Sequence, residues 1–270
     1  MEHSIFVMCI LAVLSIALAN PIFQDFSQLK AVENANKVLQ LVDQEVLSNH
    51  KLGQQSSLPQ KIDWREKGYV TNVKDQGQCA SCWAFASAAT MEGQLFNKTN
   101  NLITLSEQNL LDCAKSYNDK GCAGGWMSHA FKYIRDNGIE ADGTYPYTAT
   151  KQECSFNEAN SVGTLQNYVK LTKTTEEEIL KAVANHGPVG VYVYMSSLFM
   201  GYKSGIFEDD SCTETPNHAV TVVGYVNTPQ DQYWIIKNSF SKSWGEDGYM
   251  RMKMNKNVCG ITYRLYYPIV

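Results

Sequence analysis

Apolar residues fall in three successive patterns along the chain. Ile5 to Ala19 is a nearly unbroken apolar run. It has the length of a signal-peptide core and falls short of the roughly 20 residues that span a bilayer. Ala17 and Ala19 ahead of Asn20-Pro21 place a cleavage site after Ala19, so residues 1–19 read as a signal peptide. Next, Leu29, Val32, Ala35, Val38, Leu39 and Val42 recur near a 3.6-residue period, which predicts a helix. The polar stretch Gly53-Gln54-Gln55-Ser56-Ser57 then reads as a linker. Residues 20–58 are therefore expected to be a short propeptide; the alternative is an N-terminal arm that stays attached.

From Leu58 onward the third pattern predicts a compact domain. Ser81 suits the N-cap of a helix running from Cys82 to about Phe96. Trp83, Ala84, Phe85, Ala86, Ala88 and Ala89 make its first turns apolar on nearly every side, the mark of a buried helix. Further helices are expected at 106–113 and 125–137, the latter closed by an αL stop at Asn137-Gly138. After about residue 165 the runs become strand-like: Val189 to Met195, Ala219 to Val226, Tyr233 to Lys237, Tyr249 to Met254 and Ile261 to Tyr267. The domain at 59–270 is thus expected to be α+β, with a helical lobe over about 59–165 and a β lobe over about 166–270. Internal repeats and low-complexity tracts are absent from the sequence.

Composition adds two constraints. The net charge of -4 argues against nucleic acid as a partner, and no later apolar run is long enough for membrane insertion. Of eight cysteines, Cys9 lies in the leader. Seven remain, and seven cannot all pair. On an oxidising secretory route one thiol stays free. Asn97-Lys98-Thr99 is a glycosylation sequon.

A thiol attacks only as thiolate, and a free cysteine has a pKa of about 8.5. A helix N-terminus and a nearby imidazolium both lower it. Cys82 stands at the predicted helix start. His218 opens the run Asn217-His218-Ala219-Val220, and Asn238 in Tyr233-Trp234-Ile235-Ile236-Lys237-Asn238-Ser239 can orient an imidazole. The Gln76 amide and the Cys82 N–H can hold an oxyanion. A buried free cysteine is by itself most often inert; Gln76, His218 and Asn238 in register make Cys82 a candidate nucleophile. His3, His50, His129 and His186 lack such a context.

These segments resemble papain-family cysteine proteases, within them the cathepsin L group. The nucleophile segment is Gln76-Gly77-Gln78-Cys79-Ala80-Ser81-Cys82-Trp83-Ala84-Phe85. It is joined by Leu105-Ser106-Glu107-Gln108-Asn109-Leu110, Gly121-Cys122-Ala123-Gly124-Gly125, Asn217-His218-Ala219-Val220 and the stretch from Lys237 to Tyr249. The resemblance spans about Leu58 to Val270. It implies a papain-like two-lobe fold with a central buried helix, a β-barrel-like second lobe and an active-site cleft between the lobes. Spacing alone leaves 15 pairings of six cysteines open. The resemblance implies Cys79–Cys122, Cys113–Cys154 and Cys212–Cys259, with Cys82 free. It further implies a Cys82–His218 thiolate–imidazolium pair, Asn238 and Gln76 as partners, Trp244 as a shield for Asn238, and no metal or organic cofactor. Gly124, Gly125, Trp126, Met127, Tyr192, Asn217, Ala219 and Arg264 would line the substrate cleft. Protein or peptide substrates, cystatin-type inhibitors, a monomer and a secreted or lysosomal location follow from the same likeness.

Four departures qualify it. Ala80 replaces a signature glycine, which costs something if that position needs positive φ. Phe240 stands where tryptophan is usual. Arg264 and Tyr192 fall at the S2 floor and lining, which predicts a crowded, basic pocket preferring acidic or small P2 side chains. Residues 20–58 lack the motifs of a helical inhibitory segment. A catalytically weak secreted paralogue, acting as a binding or toxin-like protein, is the alternative these departures motivate.

Overall fold

The computed structural model describes residues 58–270 apart from 118 and 214. The expected leader, the helix expected over 29–42 and nearly all of the expected propeptide lie outside the described residues.

The apolar run after Ser81 folds as α1, Cys82–Thr99. Every residue from Cys82 to Leu95 is buried except Ala89, as a helix apolar on all sides demands. It packs with α2 (Glu107–Cys113) and α3 (Met127–Asn137). The Ser106 hydroxyl starts α2 by accepting the Asn109 N–H at 2.9 Å, which satisfies a donor the helix cannot pair internally. Gly138 ends α3 with φ 95° and ψ −172°, a glycine stop outside the αL region expected. Leu105, Leu110, Leu111, Phe131 and Ile134 fill this helical core.

The remainder is built on a sheet whose strands run in the order β4 (Asn167–Thr172), β10 (Arg264–Ile269), β5 (Val189–Val193), β7 (His218–Asn227), β8 (Gln232–Lys237), β9 (Tyr249–Lys253) and β6 (Ile206–Phe207). β1 (Lys61–Asp63) also pairs with β7. Two short strands, β2 (Ile139–Glu140) and β3 (Ser161–Gly163), pair separately. β7 is buried from His218 to Val226. Its near-continuous apolar run suits a strand covered on both faces; α1 packs against it, and Val220, Val222 and Tyr225 enter a second core with Trp234 and Ile236. Gly224 lies under β1, where an added Cβ would sit 2.3 Å from the Ile62 carbonyl oxygen. Only glycine fits that approach. Strand β1 therefore begins the described chain in the β lobe, while Tyr266 of β10 packs into the helical core. The chain crosses between lobes at both ends rather than dividing once near residue 165.

Several elements go beyond the sequence expectations, the longest being β4 and α4 (Glu176–His186). The second carried a legible signal. The Thr175 hydroxyl accepts the Glu178 N–H at 3.1 Å, and the Glu178 carboxylate accepts the Thr175 N–H at 2.7 Å, a reciprocal capping box. Disulfides join Cys79–Cys122, Cys113–Cys154 and Cys212–Cys259. Cys82 is the free thiol among the described residues.

Candidate active site

Cys82 is the first residue of α1 and is 9% exposed. Ser81 occupies the N-cap position without capping; its hydroxyl lies 2.6 Å from the Tyr147 hydroxyl instead. Tyr147 in turn donates to the Gln76 carbonyl at 2.9 Å. The first-turn N–H groups of α1 are thus not taken by the Ser81 side chain, and the positive end of the helix faces the sulfur. Burial pushes the Cys82 thiol above its ordinary range, while the N–H groups of Ala219, Trp83 and Cys82 itself pull it down.

The Ala219 amide brings the second lobe to the sulfur, because His218 directly precedes it at the start of β7. His218 Nε2 lies 2.8 Å from Asn238 Oδ1. The Ser239 N–H donates to that same oxygen at 2.8 Å. The shared atom must therefore be the carbonyl oxygen, so Nε2 carries the hydrogen and Nδ1 is left as the proton acceptor. Phe240 stacks on the imidazole at 4.9 Å, and Phe199 of the short helix α5 (Ser197–Met200) meets it edge-on at 5.9 Å. Burial drives His218 down to about 4, against the opposing pull of its bond to Asn238. An isolated charge on either partner is disfavoured by desolvation, so the two charges are stable only when formed together.

Gln76 is held from both sides. Its Oε1 accepts the Ser239 hydroxyl at 2.6 Å, its Nε2 donates to the Cys79 carbonyl at 2.8 Å, and its backbone N–H bonds Ser239 O at 2.9 Å. One hydrogen of Nε2 remains for an incoming oxyanion. Ser239 thereby ties Gln76 to Asn238. Sequence reasoning quoted Ser239 within its motif without giving it a role, and it passed over Tyr147 and Phe199, which carry no local signal.

Trp244 is buried, donates Nε1–H to Met200 O at 3.0 Å, stacks on Phe199 at 5.5 Å and meets Phe240 edge-on at 5.8 Å. It backs the rings that cover His218. Asn217 is exposed, and its Oδ1 accepts the Met195 N–H at 2.7 Å. Gly124 and Gly125, expected at the cleft edge, follow the Cys122 disulfide. A Cβ on Gly125 would lie 2.5 Å from Asp119 Oδ1 and 2.6 Å from the Trp83 ring, so the edge sits tight on the start of α1. Ala80 is exposed and is not among the residues with positive φ; the backbone cost considered for it does not arise.

The side chains expected at S2 pack on one another. Tyr192 is 5% exposed, and its hydroxyl accepts the Met127 N–H at 2.8 Å. Trp126 packs on Tyr192 at 5.2 Å. The Arg264 guanidinium lies over Trp126 at 4.5 Å and over Tyr263 at 4.8 Å. Arg264 is therefore held between the Trp126 and Tyr263 rings, and Tyr192 is buried against Trp126.

A family description, papain family cysteine protease, matches residues 58–269. Cathepsin S of Mus musculus is 49% identical over 78% of this chain and 64% of its own length. Cathepsin L2 of Homo sapiens is 43% identical over 79% of this chain and 66% of its own length. The chain thus spans just under two thirds of the length of these curated relatives. The solved structure of digestive procathepsin L 3 from Tenebrio molitor larval midgut matches with a TM-score of 0.77 and 42% identity, over 81% of this chain and 72% of that chain. The α+β two-lobe arrangement with a thiol at a helix start and an imidazole at a strand start is that of a thiol peptidase. The chain belongs to the papain family of cysteine proteases.

Proposed function

We propose that the protein is a cysteine endopeptidase in which Cys82 is the nucleophile, His218 the acid and base, Asn238 the orienter of His218, and Gln76 with the Cys82 N–H the oxyanion site. The supporting observation is the fixed Nε2–H tautomer of His218, which leaves Nδ1 to exchange a proton on the side of β7 that meets Cys82. Cys82 passes its proton to His218, and the thiolate so formed, paired with the imidazolium, bonds to the substrate carbonyl carbon. The carbonyl oxygen gains negative charge and is met by Gln76 Nε2–H and the Cys82 N–H. Collapse breaks the C–N bond, and His218 returns its proton to the departing amine, leaving a thioester. Water then attacks with His218 as base, releasing the acid and restoring the thiol. Incubation with an unfolded protein, followed by mass mapping of products, is expected to show internal cuts that vanish in Cys82→Ala. Gln76→Ala is expected to lower kcat about 10²-fold with little change in KM, the size of losing one oxyanion donor; a change confined to KM would contradict the assignment.

Tyr192 and Trp126 leave little room for a large P2 side chain, so small P2 residues are favoured. Tyr192→Gly is expected to raise kcat/KM for Leu or Phe at P2 at least about tenfold, comparable to opening space for a few methylenes, measured on P2-varied peptides. The substrates are proteins or peptides, and the enzyme acts as a monomer open to cystatin-type inhibitors. A signal peptide at 1–19 and a short propeptide ending near 58 fit a secreted or lysosomal product. Asn97 is exposed in the last turn of α1, with Oδ1 accepting the Tyr69 hydroxyl at 2.8 Å, and its amide nitrogen is the glycan acceptor.

A further inference from the structure

Arg264 anchors a line of positive charge that continues away from the cleft. β10 pairs with the sheet's edge strand β4 so that Arg264 faces Thr172 and Tyr266 faces Lys170. Paired and alternate residues share a face, which places Arg264 and Lys170 on the side of the sheet against which α3 packs. α3 contributes Lys132. Their proximity is felt electrostatically: Lys170 is pulled down by burial, then by Arg264 and Lys132, and His129 by burial, then by Lys132 and Lys170. Lys132 and Lys170 are exposed and Arg264 is half-buried.

The acids nearby do not neutralise this strip. Asp119 is buried and bound to the Trp126 N–H at 2.8 Å and His129 Nδ1 at 3.2 Å. Asp136, one turn beyond Lys132, is engaged by Arg135 and Tyr117 at 2.8 and 2.9 Å. Among the described residues no carboxylate forms an ion pair with Lys132, Lys170 or Arg264. Such a concentration of cations stands against a net charge of -4 for the chain. It begins at Trp126, which is 36% exposed beside the Gly124-Gly125 edge.

We propose that Arg264, Lys170 and Lys132 form an extended subsite that selects peptides bearing acidic side chains N-terminal to the scissile bond. The proposal rests on the peptidase reading and names its substrate class. Tyr192 closes the pocket beneath, so an acidic side chain is met at the rim by the guanidinium and further residues are met by the two ammonium groups. The Trp126 and Tyr263 faces, with the Tyr266 hydroxyl beside them, hold Arg264 in place without neutralising it, because none of them carries a formal charge and the guanidinium has five donors. Exposed charges of this kind act mainly on encounter and orientation, and are screened beyond about 10 Å at 0.1 M salt.

The test uses internally quenched peptides with one scissile core and N-terminal extensions of Asp-Glu, Asn-Gln or Lys-Lys. At about 20 mM salt the Asp-Glu peptide is expected to exceed Asn-Gln in kcat/KM by about tenfold, with Lys-Lys below both. At about 0.5 M salt the ratio should fall toward one. Lys132→Glu/Lys170→Glu should abolish or invert the low-salt ratio. Equal rates for Asp-Glu and Asn-Gln, or a ratio unchanged in the double variant, would overturn the proposal. So would salt-sensitive retention of a sulfated polysaccharide by these lysines without any peptide preference. A Lys170→Glu variant that self-associates and leaves the ratio intact would mark Lys170 as a guard of the sheet edge and also overturn it. Failure to cleave all three peptides would instead contradict the peptidase reading.

Discussion

His218→Ala is expected to lower kcat/KM by about 10²–10⁴-fold, the range for losing a positioned acid–base group, with the loss in kcat rather than KM. In the proposed mechanism the imidazole Nδ1 both takes the Cys82 proton and returns it to the leaving amine. Its tautomer is set by Asn238 Oδ1, which also accepts the Ser239 N–H. Asn238→Ala should therefore lose part of the activity by freeing the ring. The cover makes a second, signed expectation. Burial holds His218 down to about 4, so the acid limb of kcat/KM should lie near pH 4, well below an ordinary imidazole. Phe240 stacks on that ring, and Phe240→Ala admits water and should move the limb upward. Steady-state profiles of both proteins between pH 3 and 7 decide it; identical limbs would show that Phe240 does not desolvate His218.

Lys74→Met is expected to destabilise the fold by about 3–5 kcal/mol at pH 7.5 and by distinctly less at pH 5, the cost of leaving a buried carboxylate unpaired. Lys74 Nζ bonds Glu107 Oε2 at 2.5 Å, Leu105 O at 2.9 Å and Asp142 Oδ1 at 3.3 Å. Nearby, Lys237 donates to the Thr71 hydroxyl at 2.9 Å, which donates to buried Glu92 at 2.6 Å. Burial lowers Lys74, but Glu107, Glu92 and Asp142 more than offset it, so Lys74 stays charged. Burial raises Glu107 to about 7, with Lys74 pulling the other way. A carboxyl raised above its ordinary 4.5 favours the folded state fully below that value, and the contribution is lost as pH rises through about 7. Without Lys74, Glu107 can still be neutral at pH 5 but not cheaply charged at pH 7.5. Urea titrations of both proteins at the two pH values measure the difference. Glu107→Gln should flatten the wild-type slope between pH 4.5 and 7. Lys74, Glu107 and Lys237 line a cavity of about 20 Å³ together with Asn238 and Ser239, room for one water, so the damage is expected to reach the back of the proposed site.

The main helices and strands and the free thiol were legible because local rules decided them. An all-round apolar run after a serine becomes the buried α1, and an odd cysteine count at its first residue marks the free thiol. A run of β-branched residues beginning at His218 becomes the doubly covered β7. What was not legible depends on strand register and on where long side chains come to rest. Tyr192 lies opposite Ala219 across β5 and β7, a pairing that no local pattern announces. Arg264 is long and planar enough to stack on Trp126 and Tyr263, a resting place that no local pattern announces. Ser239 was visible as a neighbour of Asn238, yet its bond to Gln76 joins positions 163 residues apart. The buried Lys74–Glu107 pair likewise joins positions 33 residues apart, and α4 has its capping box in the sequence although its apolar pattern is short.

The central claim is that Cys82 is a nucleophile activated by its partners. It is tested most directly by treating the folded protein with an epoxide thiol inhibitor under acidic, reducing conditions and mapping the modified peptide. Stoichiometric modification at Cys82 is expected, with a much slower reaction in His218→Ala and loss of peptide cleavage in step with labelling. A folded protein that leaves Cys82 unmodified, or that is modified at the same rate without His218, would contradict it.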